Sequence, residues 1–267
     1  MTSIDLTSYD SLRLQFADGI LTATLHNPTK LNAIDPGTQH DLDRIWRDVD
    51  EDEGIRAVIL TGEGSAFCSG VDMTELTGDD ALLHREKAAA KRIRDRIFDI
   101  VDCETPVIAK VRGPAYGLGL SYALACDFVV AAEDAQFCDS HIKNGITAGD
   151  GCVALVPLAI GLRRAKEMLM LGEPISGLRA AEIGLINQSV PEAELDAAVS
   201  ALAHKLSSGP PRALSWTKLS LNTVMKQAAL GALEISIAYD LLSLRTDDVR
   251  EGARAFAEKR PPHFTGF

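Results

Sequence analysis

Aromatic side chains are scarce in this chain, at 5% of its residues, so aliphatic packing has to carry the core. Cysteines are few and poorly spaced for pairing or metal binding. Cys68, Cys103, Cys126, Cys138 and Cys152 include no CxxC pair and are odd in number, in a chain that is not small. The expectation is reduced, mostly buried thiols rather than a disulfide framework or a metal centre. Positive charge is also short, with 27 Lys and Arg against 38 Asp and Glu and a net charge of −11. Phosphate-rich partners need a basic surface, which argues against nucleic acid or an anionic membrane as the partner. A local basic pocket for one phosphorylated cofactor is still allowed. No apolar run approaches the roughly 20 residues that span a bilayer. The opening MTSIDLTSYDSLRLQF carries acids and no apolar segment of the signal-peptide kind, so a cytoplasmic protein is expected. Low-complexity segments, short repeats, a GxGxxG fingerprint and a P-loop are all missing.

The 267 residues are 46% hydrophobic and 24% charged, ordinary for a globular chain with one large domain or a domain plus an appendage. Leu12, Leu14 and Phe16 alternate, and ILTATLH alternates again after Gly19, which predicts two strands joined by a turn. A helix is predicted from about Pro36 to Asp52, with Asp35 as its cap. AVILTG, PVIAKV and FVVAAE are short apolar runs of the buried-strand kind, AQF is a fourth short strand, and LINQSV a fifth. Helices are predicted over about Asp80–Asp102, Gly151–Leu171 and Ser176–Ile183, and over the segment that Pro191 begins. The rest is expected to be helical to about Lys259, with a break at Gly209-Pro210-Pro211. The charged row from Arg85 to Arg96 is expected to be a solvated helix face. Buried strands that each lead into a helix imply α/β architecture with parallel pairing.

Two Gly-rich turns stand out, each after a buried strand: TGEGSAFCSGVD and RGPAYGLGLS. A glycine turn at a helix start leaves backbone N–H groups free, and two such turns side by side could polarise one oxygen. Tight strand-to-helix packing would use the same glycines. The order KLNAI, AFCSGVD, PVIAKVRGPAYGLGLSYALACD, AQF, ISGLRAAEIGLINQSVP and AFAEKRPPHF resembles the enoyl-CoA hydratase/isomerase (crotonase) family over nearly the whole chain. The resemblance implies a crotonase (ClpP-like) fold of repeated ββα units over residues 1–200. It implies a helical C-terminal trimerisation region over 201–267, giving a homotrimer or a dimer of trimers. The substrate would be an acyl-CoA thioester, with coenzyme A entering as part of it and no permanently bound cofactor. Val71 and Leu118 would donate the two oxyanion N–H groups. Lys30, Leu31, Ala33, Ala66, Ser69, Gly70 and Asp72 would hold the CoA, and Lys259 would reach a CoA phosphate.

The departures matter as much. Hydratases of the family carry two glutamates, and their positions here hold Ser121 and His141. A paired-carboxylate hydration mechanism is therefore not expected. The stretch FCDSHIKNGITAGDG supplies His141, whose ordinary pKa near about 6.5 suits a general base, and Asp150, which could orient one ring nitrogen. This pair is similar to that in crotonase relatives which hydrolyse C–C bonds of β-diketones, of the 6-oxocamphor hydrolase type. Asp139 and Lys143 read as loop solvation or edge contacts to the CoA, Asp139 is also placed with Ser121 at the substrate pocket, and Ser121 reads as a pocket-facing residue or a donor to substrate. Three readings follow: acyl-CoA addition, elimination or isomerisation through an enolate; hydrolytic β-diketone cleavage; and a non-catalytic CoA binder.

Overall fold

The computed structural model describes residues 2–72 and 89–266. The hairpin opens the chain, with β1 (Leu12–Ala17) antiparallel to β2 (Ile20–Leu25). Asp18 and Gly19 between them both take positive φ, 52° and 76°, as the two-residue turn that suits strand twist requires. Helix α1 (Pro36–Asp50) follows, and Asp35 caps it by accepting from the Thr38 N–H at 2.8 Å. Strand β3 (Ala57–Gly62) returns parallel to β2, β4 (Val107–Val111) pairs with β3, β6 (Phe128–Ala132) with β4 and β9 (Gln188–Val190) with β6, all parallel. The order β1-β2-β3-β4-β6-β9 makes one six-stranded mixed sheet. Its central strands β3, β4 and β6 are mostly apolar because both faces are covered, Lys110 near the end of β4 being the charged exception.

A second sheet explains the ββα rhythm. After β4 the chain enters β5 (Pro114–Tyr116), then α3 (Leu118–Ala125); after β6 it enters β7 (Gln136–Cys138), then a 3-10 turn (His141–Asn144) and α4 (Cys152–Leu171). Strands β5, β7 and the two-residue β8 (Ile175–Ser176) form that small sheet, and Cys68 bridges to Ala115 beside it. Segments 68–72, 116–118 and 138–141 are thereby drawn together beyond the carboxyl ends of the parallel strands, where open α/β sheets bind ligands.

Helices α2 (Ala89–Asp102), α5 (Gly177–Glu182) and α6 (Glu192–Ser207) complete the layers. The predicted start of α2 near residue 80, the later part of the 62–80 loop and Arg85 lie outside the described residues. Pro191 caps α6, and Gly184 stands at φ 80° just past α5 as a helix-ending glycine should. The break at 209–211 holds, with α7 (Pro211–Ser243) beginning at Pro211. A second break, not anticipated, separates α7 from α8 (Asp247–Glu258), whose first turn carries Asp247 and Asp248. Lys218 of α7 is buried against β6, its Nζ 2.8 Å from Asp127 and 2.9 Å from the Thr105 carbonyl. Helix α8 packs on the 3-10 turn, with Gly252 against Asn144, so the C-terminal helices brace the segment that carries His141. All five cysteines are free and buried, and no described helix is long and apolar enough to cross a membrane.

Candidate active site

The two glycine turns lie side by side. Ile34 forms both bonds of its parallel bridge to the second strand segment, accepting from Asp72 N–H at 3.0 Å and donating to Gly70 C=O at 2.8 Å. Alternation along that segment turns the Val71 N–H the other way, toward residues 116–118. A methyl on Gly70 would stand 3.0 Å from the Tyr116 carbonyl and 3.7 Å from the Leu118 nitrogen, which measures how close the turns are. Leu118 is the first residue of α3, where an N–H has no partner within the helix. Among the described residues neither the Val71 nor the Leu118 amide has an acceptor. Gly117 makes the turn possible: its φ of 50° with ψ of −121° is a conformation that side chains resist.

Beside Gly117 lies the imidazole of His141; a methyl on Gly117 would be 3.5 Å from its Cε1. Two carboxylates flank the ring. Asp139 accepts from His141 Nδ1 at 2.7 Å and from the His141 backbone N–H at 3.1 Å. On the other side Asp150 Oδ2 stands 3.2 Å from Nε2 as an ion pair, without the alignment of a hydrogen bond. The pair expected from the sequence is thus in contact, but the orienting carboxylate on the inner nitrogen is Asp139. That corrects the reading of Asp139 as loop solvation or an edge contact. The residue is 0% exposed, and a carboxylate that deep needs the cation beside it. Ser121 is 0% exposed and donates to Asp150 Oδ1 at 2.9 Å, so it holds one of the carboxylates of the array. Lys143 lies on the outer side, paired with Glu173 at 3.0 Å.

The electrostatics of His141 follow from its two carboxylate neighbours. Burial, the largest single influence, works against its charge, but Asp139 and then Asp150 outweigh it, and the pKa rises well above the ordinary histidine value. Burial would likewise raise Asp139, yet the imidazolium and its two hydrogen bonds hold that carboxyl below its usual range. The two carboxylates therefore favour the charged form of His141. Cys152, missed in the sequence, closes the array. Its Sγ lies 3.1 Å from Ser121 Oγ, and burial together with Asp139 and Asp150 pushes its thiol well above the usual range. Asp139, Asp150 and Cys152 each bring a ligating atom within 4.8 Å of the others, a set a metal ion could use. Here the His141 imidazolium supplies the counter-charge between the carboxylates.

The KLNA segment and the first glycine turn form one cradle. Ser69 N–H donates to the Leu31 carbonyl at 3.0 Å, Ser69 Oγ to the Lys30 carbonyl at 3.2 Å, and Lys30 Nζ pairs with buried Asp72 at 2.6 Å. Ala33 and Ala66 are buried and Leu31 is exposed at φ 52°. Asn32, not singled out in the sequence, fixes the cradle. It is buried, donates to the Ala66 and Glu63 carbonyls at 2.8 and 2.9 Å, and accepts from the Asn27 N–H at 3.0 Å. The KLNA run was the signal for it. Lys259 is exposed at the end of α8, and among the described residues no hydrogen bond or ion pair links it to the cradle.

Comparison with known proteins agrees with this architecture. The family model described as enoyl-CoA hydratase/isomerase matches residues 15–266. The chain is 33% identical over 261 residues to a probable enoyl-CoA hydratase of Rhodobacter capsulatus, covering 97% of this chain and 99% of that one. It is 32% identical to the 1,2-epoxyphenylacetyl-CoA isomerase of Escherichia coli K12, covering 93% and 95%. The crystal structure of an enoyl-CoA hydratase from Mycobacterium avium subsp. paratuberculosis superposes with a TM-score of 0.86 at 31% identity, covering 96% and 99%. Paired sheets, ββα rhythm and adjoining glycine turns are therefore the crotonase fold, and the chain belongs to the enoyl-CoA hydratase/isomerase family.

Proposed function

We propose that the protein is an acyl-CoA lyase or isomerase that works through an enolate. The observation that carries this reading is two unpartnered amides, Val71 and Leu118, beside the Asp139–His141–Asp150 array. An enolate next to a thioester puts its charge on the carbonyl oxygen, where preorganised N–H donors act most strongly. Asp150 takes the α-proton, being the less buried of the two carboxylates, and the His141 imidazolium donates from Nε2 to the carbon or oxygen that gains electron density. Asp139 holds the ring from behind. The cradle from Lys30 to Asp72 holds the CoA portion, with Lys259 as a cation for its phosphate, and no further cofactor is required. Exposed apolar residues along α7, Trp216, Leu221 and Val224 among them, support assembly into a trimer.

The β-diketone reading relied on histidine as the base that activates water. An imidazolium held by two carboxylates is poorly suited to that task, so the acyl-CoA reading is preferred. The test is turnover of 2-enoyl- and 3-enoyl-CoA thioesters by the purified protein. Asp150→Asn and His141→Gln should each lower kcat/KM about 10²- to 10⁴-fold. Cleavage of free cyclic β-diketones with no turnover of acyl-CoAs would refute the proposal. Unchanged rates in both variants would do so too, leaving a binding protein.

A further inference from the structure

Cys152 is the buried nucleophile next to the array for which the proton chemistry has no use. It begins α4, is 0% exposed, and has its Sγ 3.1 Å from Ser121 Oγ. The direction of that contact follows from its neighbours. A carboxylate has only acceptors to offer, so the 2.9 Å bond between Ser121 Oγ and Asp150 Oδ1 consumes the single serine proton. Ser121 then faces Cys152 with lone pairs alone, and the thiol must be the donor.

We propose that Cys152 is a positioning residue, whose S–H donates to Ser121 and thereby commits the serine hydroxyl to Asp150. The relay fixes Oδ1, and the rigid carboxylate then presents Oδ2 to His141 Nε2. Without it the serine hydroxyl could turn from Asp150 toward the sulfur, leaving a buried carboxylate oxygen without its donor. The thiol keeps its proton because burial and the two carboxylates both oppose the thiolate. Two rival acceptors are near: the Gly117 carbonyl, 3.9 Å from the Cys152 sulfur, and the buried carboxylate of Asp139 in the same cluster, which also acts on the thiol. One S–H proton cannot serve all three in full, and the 3.1 Å contact to Ser121 is shorter than the 3.9 Å contact to Gly117.

The kinetic consequence rests on the acyl-CoA reading, but the hydrogen bond itself does not, so the test has two arms. The infrared S–H stretching band of Cys152 is isolated as the difference between the wild type and Cys152→Ala. It should lie at the lowered frequency of a donating thiol, move to the free value in Ser121→Ala, and keep its place in Asp139→Asn. With an acyl-CoA substrate, Cys152→Ala should lower kcat about fivefold at unchanged KM, the effect of one modest hydrogen bond, and Cys152→Ser should restore it. A free S–H band in the wild type would overturn the relay. So would a band that responds to Asp139→Asn but not to Ser121→Ala, or a Cys152→Ser variant as slow as Cys152→Ala. If the band behaves as expected while no acyl-CoA is turned over, the relay stands and only the functional reading fails.

Discussion

Replacing His141 by glutamine tests the charge arrangement directly. The wild-type array sets one imidazolium between two carboxylates, Asp139 at 0% and Asp150 at 8% exposure. Glutamine leaves two buried negative charges with no cation between them. Breaking a buried ion pair from one side costs about 3–5 kcal/mol, a large share of a typical stability of about 5–15 kcal/mol. At a urea m-value of about 2–3 kcal/mol/M, the midpoint should fall by about 1–2.5 M. Asp139→Asn keeps the Asp150–His141 pair and loses one charge-assisted hydrogen bond, so it should cost about 1.5–3 kcal/mol. In the double variant the unpaired charge of Asp139 is gone as well, so its loss should fall short of the sum by at least about 1 kcal/mol. The pH dependence has a defined sign. His141 is raised, so its contribution is complete below about pH 6.5 and is lost as pH rises through the folded value. Asp139 is lowered, so its contribution is complete above about pH 3.9 and is lost as pH falls through its folded value. The wild-type advantage should therefore be full between about pH 4 and 6.5. Urea unfolding at one protein concentration across that range is the assay. A loss below about 1 kcal/mol in His141→Gln, or strict additivity in the double variant, would refute the arrangement.

Two further outcomes concern the turn and the cradle. Gly117→Ala forces a side chain into φ 50°, ψ −121° with its Cβ 3.5 Å from His141 Cε1. It should cost about 1–3 kcal/mol in thermal or chemical unfolding and lower kcat by displacing the Leu118 amide. Lys259→Met should raise KM about fivefold for CoA thioesters while leaving N-acetylcysteamine thioesters unaffected, as a cation serving only the nucleotide end would.

What could be read from the sequence follows from what is periodic or local. Strands β3, β4 and β6 are apolar runs because both faces are covered, and the hairpin shows in its alternation around Gly19. Strands β5 and β8, of three and two residues, are too short to carry any period, and β5 was read as part of a glycine turn. The break between α7 and α8 was missed although Thr246-Asp247-Asp248 is an ordinary helix start, because apolar residues continue on both sides of it. In the site, His141 and Asp150 stand out by position, whereas Asp139 reads as solvated loop in a polar stretch. Only the tertiary fold shows that Cys138-Asp139 runs inward at the end of β7. Cys152 reads as an inert core thiol, since its chemistry comes from the adjacent Asp150 together with Asp139 and Ser121, which the fold delivers from two other segments.

The same tertiary placement makes the proposed chemistry electrostatically economical. With both carboxylates ionised and His141 protonated, the array carries one net negative charge before substrate reacts. When Asp150 takes the α-proton, the array becomes neutral and the charge passes to the thioester oxygen. The site thus holds one negative charge throughout, and the reaction moves it from a carboxylate to the free amides of Val71 and Leu118 at the start of α3. A neutral histidine acting as base would instead create a new cation and a new anion together in a buried site. That separation is costly at low dielectric. Keeping His141 charged while the α-proton is taken removes that cost, which is why the second carboxylate, Asp139, belongs behind the ring.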